Sequence, residues 1–127
     1  MNYTSLEQSK KLVEMGLDPE SASMRYDWDY NEHNYVGPNR VIIPNWNDPY
    51  NKAVPCWSVE DLLKILPKSA PGSCKTSCWE LLPTYKTGFC LGYITFSGTE
   101  IVTFCGESLI DVCFDAMIWA MKRSKNC

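Results

Sequence analysis

The sequence predicts an α+β fold. Three observations carry that expectation: apolar stripes at helical spacing behind capping residues, three β-rich runs in the second half joined by short glycine-containing turns, and a length suited to one core. A chain of 127 residues leaves little room for a second independent core, so a single domain over residues 1–127 is expected. The composition, 45% hydrophobic and 21% charged, provides enough apolar area to offset chain entropy and excludes an intrinsically disordered chain.

The first helix is expected to start at Thr4-Ser5-Leu6-Glu7, where a Thr hydroxyl and a Glu three residues on match a capping box. It runs to about Met15; Gly16 suits the left-handed closing position and Leu17 the apolar contact that follows. Asp18-Pro19-Glu20 repeats a start signal for a short second helix to about Met24.

Residues 25–55 hold Pro38, Pro44, Pro49 and Pro55 together with several Asn and many aromatics, which predicts a long irregular excursion. Within it, residues 24–30 and 40–43 have the composition of short strands.

Ser58 and Asp61 then form a capping pair ahead of an amphipathic helix that Pro67 halts. Val59, Leu62, Leu63 and Leu66 share its apolar face, with Glu60, Asp61 and Lys64 turned away. Three strands, over 78–85, 89–96 and 99–104, should form an antiparallel meander through the Thr87-Gly88 and Ser97-Gly98 joins, with Pro83 on an outer strand. Residues 40–43 could supply a fourth strand. A last helix, from Ser108 to about Lys122, carries the stripe Leu109, Val112, Cys113, Ala116, Met117 and Ala120 and packs on the meander.

Composition narrows the function classes. A formal charge of -3 and a pI of about 5.1 argue against broad phosphate neutralisation, so nucleic acid is an unfavoured partner, and a small nucleic-acid regulator is the weakest reading. No run of about 18 apolar residues exists to cross a membrane, and the N-terminal residues lack a secretory apolar region. A cytoplasmic location follows, in which seven cysteines, an odd number, are expected as free thiols. Cys90, Cys105 and Cys113 read as small buried hydrophobes.

Candidate chemistry concentrates in Asp27-Trp28-Asp29-Tyr30-Asn31-Glu32-His33. Asp27, Asp29, Glu32 and His33 could hold a divalent cation or act as an acid and base pair, although the glycine and spacing of a calcium loop are missing. The plainer reading is a solvated polar loop. Cys74 and Cys78, with Cys56 or Cys90, are a second metal candidate, but one close pair is a poor match to structural zinc spacing. A thiol paired with His33 is a third arrangement to look for. No phosphate-binding glycine loop, serine elbow or paired-His motif occurs, and no cofactor is expected.

Aromatic residues crowd the irregular region, and Trp28, Tyr30, Tyr35, Trp46 and Tyr50 fit the anchors of a protein interface, against the alternative that they cover the core. Lys122, Arg123 and Lys125 already have a reason to stand at the negative end of the last helix. The expected function is a non-enzymatic accessory or interaction module that meets a protein partner or a second copy of itself. The alternative is a metal-binding or hydrolytic enzyme built on the acidic/His cluster.

Three stretches carry a resemblance: Leu6-Glu7-Gln8-Ser9-Lys10-Lys11-Leu12-Val13-Glu14-Met15-Gly16-Leu17-Asp18-Pro19-Glu20-Ser21-Ala22, then Pro55-Cys56-Trp57-Ser58-Val59 with Leu62-Leu63-Lys64-Ile65-Leu66-Pro67, and more weakly Met117-Ile118-Trp119. In these the chain resembles small proteins of Bacteroides-type gut bacteria and their phages and mobile elements. The resemblance implies a mobile-element or prophage origin and a shared small fold. It assigns no catalytic or binding residue, and the stretch from Cys74 to Cys90 lies outside it.

Overall fold

The computed structural model describes residues 2–29, 31–40, 53–67, 77–82, 88–95 and 100–125. The fold is α+β, with helices α1 (Leu6–Glu14), α2 (Val59–Ile65) and α3 (Leu109–Lys125) and two antiparallel three-stranded sheets. The chain divides into two compact units, Asn2–Asp61 and Leu62–Cys127.

In the first unit, α1 is capped by Ser5 rather than Thr4, with Gln8 in place of Glu7 as the reciprocal partner. Ser5 Oγ accepts the Gln8 N–H at 3.2 Å, and Gln8 Oε1 accepts the Ser5 N–H at 2.9 Å. The one-residue shift has a tertiary cause: Thr4 is wholly buried and its hydroxyl accepts the backbone N–H of Trp57. The helix closes as expected. Gly16 has φ +98°, its N–H reaches Val13 O, and the Leu17 N–H reaches Leu12 O, the pairing of a Schellman turn.

Asp18 caps only a single 3-10 turn, Pro19–Ser21, before strand β1 (Met24–Asp29) begins. The expected second helix to Met24 is thus one turn long. β1 pairs on one side with β2 (Asn34–Arg40) and on the other with β3 (Val54–Cys56). The expected irregular excursion therefore holds a sheet of order β2-β1-β3. The sheet is not legible locally, because its ladder joins partners about 30 residues apart (Met24 and Cys56) that no local pattern exposes. Arg40, expected to open a fourth meander strand, instead ends β2 opposite Met24; residues 41–43 lie outside the described residues. Leu12, Leu17, Ala22, Tyr26, Cys56 and Trp57 form the buried apolar set of this unit.

α2 is capped as the sequence predicts: Ser58 Oγ accepts the Asp61 N–H at 3.0 Å and Asp61 Oδ2 accepts the Ser58 N–H at 3.1 Å. The division between the units falls within this helix. Leu62 and Leu66 are buried, while Glu60 and Lys64 are exposed.

The second unit contains the expected meander, β4 (Ser77–Leu82), β5 (Phe89–Thr95) and β6 (Glu100–Gly106), in the order β4-β5-β6. Pro83 lies outside the described residues. α3 packs on β5 and β6, and runs three residues past its expected end. Its stripe of Val112, Cys113, Ala116, Met117 and Ala120 is buried. The Trp119 ring lies 5.5 Å from Tyr93 and 5.9 Å from Phe104, measured between centroids. Among the described residues, no helix is long and apolar enough to cross a membrane.

Candidate functional site

The hairpin formed by β1 and β2 carries most of the residues singled out in the sequence. Its end is built by Asp29, whose Oδ1 accepts the backbone N–H groups of Asn31 at 2.9 Å and Glu32 at 3.2 Å. His33 completes the turn with φ +53°, a left-handed conformation that His adopts more readily than branched residues. Both residues thus have turn-making roles, and His33 and Glu32 are exposed.

Asp27 is held from both sides. Its Oδ1 accepts from Arg25 Nε at 2.8 Å and its Oδ2 from Asn39 Nδ2 at 2.7 Å. The carboxylates of Asp27 and Asp29 thereby serve separate local partners. No group of three or more His, Cys, Asp or Glu with metal-holding geometry occurs among the described residues.

The aromatics are brought together. Trp28 and Tyr35 are opposed across the β1–β2 ladder, and their rings meet edge to face with centroids 5.0 Å apart and planes at 71°. Such a pair contributes about 0.5–1.5 kcal/mol beyond the area it covers. Lys10 of α1 places its ammonium 5.0 Å from the Tyr35 ring centre, a cation–π contact that fixes the ring from the helix side. Both aromatics are only half-buried. On the other face Val36, opposite Asp27, is exposed. Tyr30, Trp46 and Tyr50 lie outside the described residues.

This surface is positioned by an irregularity in β2. Arg25 pairs with Asn39 but Asp27 pairs with Val36, so Gly37 and Pro38, joined by a cis peptide, stand together opposite Tyr26. Gly37 has φ +127°, and a Cβ there would lie 3.1 Å from Arg25 O. The extra residue bends the strand.

The cysteines divide into two kinds. Cys56 and Cys113 are free and wholly buried. Burial, with Asp61 as a lesser influence, pushes the Cys56 thiol up to about 12, and burial pushes Cys113 up to about 11. A protonated thiol is neither nucleophile nor metal ligand at neutral pH, so both are packing residues. Cys90 and Cys105 depart from expectation: they form a disulfide, with Cys105 exposed and Cys90 half-buried. A signal for it existed. The two cysteines stand seven residues before Ser97 and seven after Gly98, so a hairpin turning there places them face to face.

Comparison of the chain with protein-family models, curated proteins and solved structures returns no match.

Proposed function

We propose that this chain is a non-enzymatic interaction module that uses the β1–β2 hairpin to contact a protein partner. The observation that carries the reading is the Trp28–Tyr35 pair, half-exposed and held in place by a cross-strand ring contact and by Lys10. Trp and Tyr supply large contact area with few rotatable bonds, and rings already ordered lose little freedom on association. The polar groups beside them, Asp27 and Asp29, are engaged in building the hairpin. That role accounts for the acidic cluster without metal or hydrolytic chemistry. An accessory role accords with the mobile-element resemblance of the sequence.

The test is site-specific photo-crosslinking in cells expressing the chain, with the crosslinking amino acid at Glu32, exposed at the end of the hairpin, and, as control, at Phe89, which is also exposed. A discrete adduct at Glu32 that is lost in the Trp28→Ala/Tyr35→Ala variant, with the circular dichroism retained, is the expected result. Adducts equal at the two positions, or unchanged in the double variant, reject the hairpin as the contact surface. An adduct of twice the chain mass identifies the partner as a second copy.

A further inference from the structure

We propose that the Cys90–Cys105 bond is a thiol–disulfide exchange site, in which an external thiolate attacks Cys105 Sγ and Cys90 is the leaving group. Four observations converge on it. Cys90 and Cys105 are directly opposed on β5 and β6, with Cα atoms 4.2 Å apart, so the bond joins neighbours that the ladder already aligns.

Access is asymmetric: Cys105 is exposed and Cys90 half-buried. An attacking thiolate approaches along the S–S axis from the accessible end, which selects Cys105. Cys56 and Cys113 are free but buried, and do not compete as internal nucleophiles.

The sheet does not depend on the bond. Ladder pairs run from Phe89 and Gly106 to Ile94 and Glu100. Side chains alternate along a strand, so Leu91, Tyr93 and Phe104 lie on the face opposite the disulfide. That opposite face is the one Trp119 of α3 covers. Opening the bond removes nothing from that packing.

The exchange balances with a dithiol as co-reactant, either dithiothreitol or a thioredoxin-type protein. Its first thiolate bonds to Cys105 Sγ while the Cys90–Cys105 bond breaks, and the electron pair leaves on Cys90 Sγ, which takes a proton from water. The second thiol of the reductant then displaces Cys105 as a thiolate, which is protonated in turn. The pair has gained two electrons and two protons, and the dithiol has become a disulfide.

The test uses the full oxidised chain without denaturant. Dithiothreitol treatment, alkylation with N-ethylmaleimide and peptide mapping should label Cys90 and Cys105 together, leaving Cys56 and Cys113 unlabelled and the far-UV circular dichroism unchanged. A thioredoxin-type reductant lacking its resolving cysteine should be trapped on Cys105. A bond that opens only in denaturant, or an adduct mapping to Cys90, overturns the proposal. Trapping is done on the unsubstituted chain, so no variant that fails to fold can obscure the result.

Discussion

Thr4 and Trp57 bond to each other twice: the Thr4 N–H donates to Trp57 O at 2.8 Å, and Thr4 Oγ1 accepts the Trp57 N–H at 3.0 Å. The same hydroxyl lies 2.7 Å from Ser9 Oγ, and the Tyr26 hydroxyl donates to Thr4 O at 2.9 Å. One fully buried polar residue thus ties the start of the chain, α1, β1 and the approach to α2. Thr4→Val keeps the shape but leaves the Trp57 N–H and the Ser9 hydroxyl without this partner, at a cost of about 1–3 kcal/mol. Thr4→Ser, which retains the hydroxyl, should lose less. Urea denaturation of the two variants checks the order, and equal losses would show that the methyl rather than the hydroxyl matters.

Asp61 caps α2 and also holds Ser23, the residue that precedes β1. Its Oδ2 accepts from the backbone N–H groups of Ser58 and Ser23 and from the Ser23 hydroxyl. Asp61→Ala is expected to destabilise by about 1–2 kcal/mol, the upper part of the range for a helix cap. Glu14→Ala, at an exposed position on α1, should stay within about 0.5 kcal/mol. The comparison is read from denaturation midpoints at constant slope.

Gly16 and Gly88 both have positive φ, but they differ in surroundings. A Cβ at Gly16 meets nothing within 4 Å, whereas one at Gly88 would lie 2.8 Å from Gly106 O. Gly16→Ala should therefore cost about 1–2 kcal/mol, the backbone contribution alone. Gly88→Ala adds a steric clash with the β6 backbone and should lower the thermal midpoint further. Equal shifts would mean that the β5–β6 end relaxes to accept the methyl.

Alkaline pH should destabilise the fold. Burial raises Tyr26, Tyr93 and Cys56 to about 12 and Cys113 to about 11, from ordinary values of 10.0 for Tyr and 9.0 for Cys. Neighbouring Cys56 and Tyr3 add to the rise at Tyr26. The folded state thus holds these protons more tightly than the unfolded chain does. Their contribution is complete below about pH 9 and is lost as pH rises from there to about 12. Thermal midpoints recorded from pH 8 to 11 should fall, and Cys113→Ala should flatten the fall. A flat profile in the parent chain would show that these groups titrate normally.

Local signals in the sequence were legible where the partners are close in the chain. Ser58 and Asp61, three residues apart, cap α2 as read, and Gly16 with Leu17 closes α1. Thr4 was misassigned as a cap because its partner, Trp57, is 53 residues away. The β1 pairing was obscured for the same reason, and by the proline, glycine and asparagines of residues 34–40, which read as loop although they form β2. Trp28 and Tyr35 stand out in the sequence as part of an aromatic crowd, but their contact depends on a register that the extra residue at Gly37-Pro38 sets. The plainer reading of residues 27–33 as a polar loop fits the turn that Asp29 and His33 build, whereas Asp27 stands within β1.

Pro38 within β2 bears on how this molecule can meet others. β2 is an outer strand of its sheet among the described residues. An outer strand ordinarily invites a foreign strand to add itself through a continuous row of amide donors, the route to both peptide capture and fibrils. A proline interrupts that row, since it has no N–H to give. On the proposed reading, recognition at this hairpin is then made by side chains, through rings whose identity can be selected, and the strand border itself is poorly suited to indiscriminate stacking.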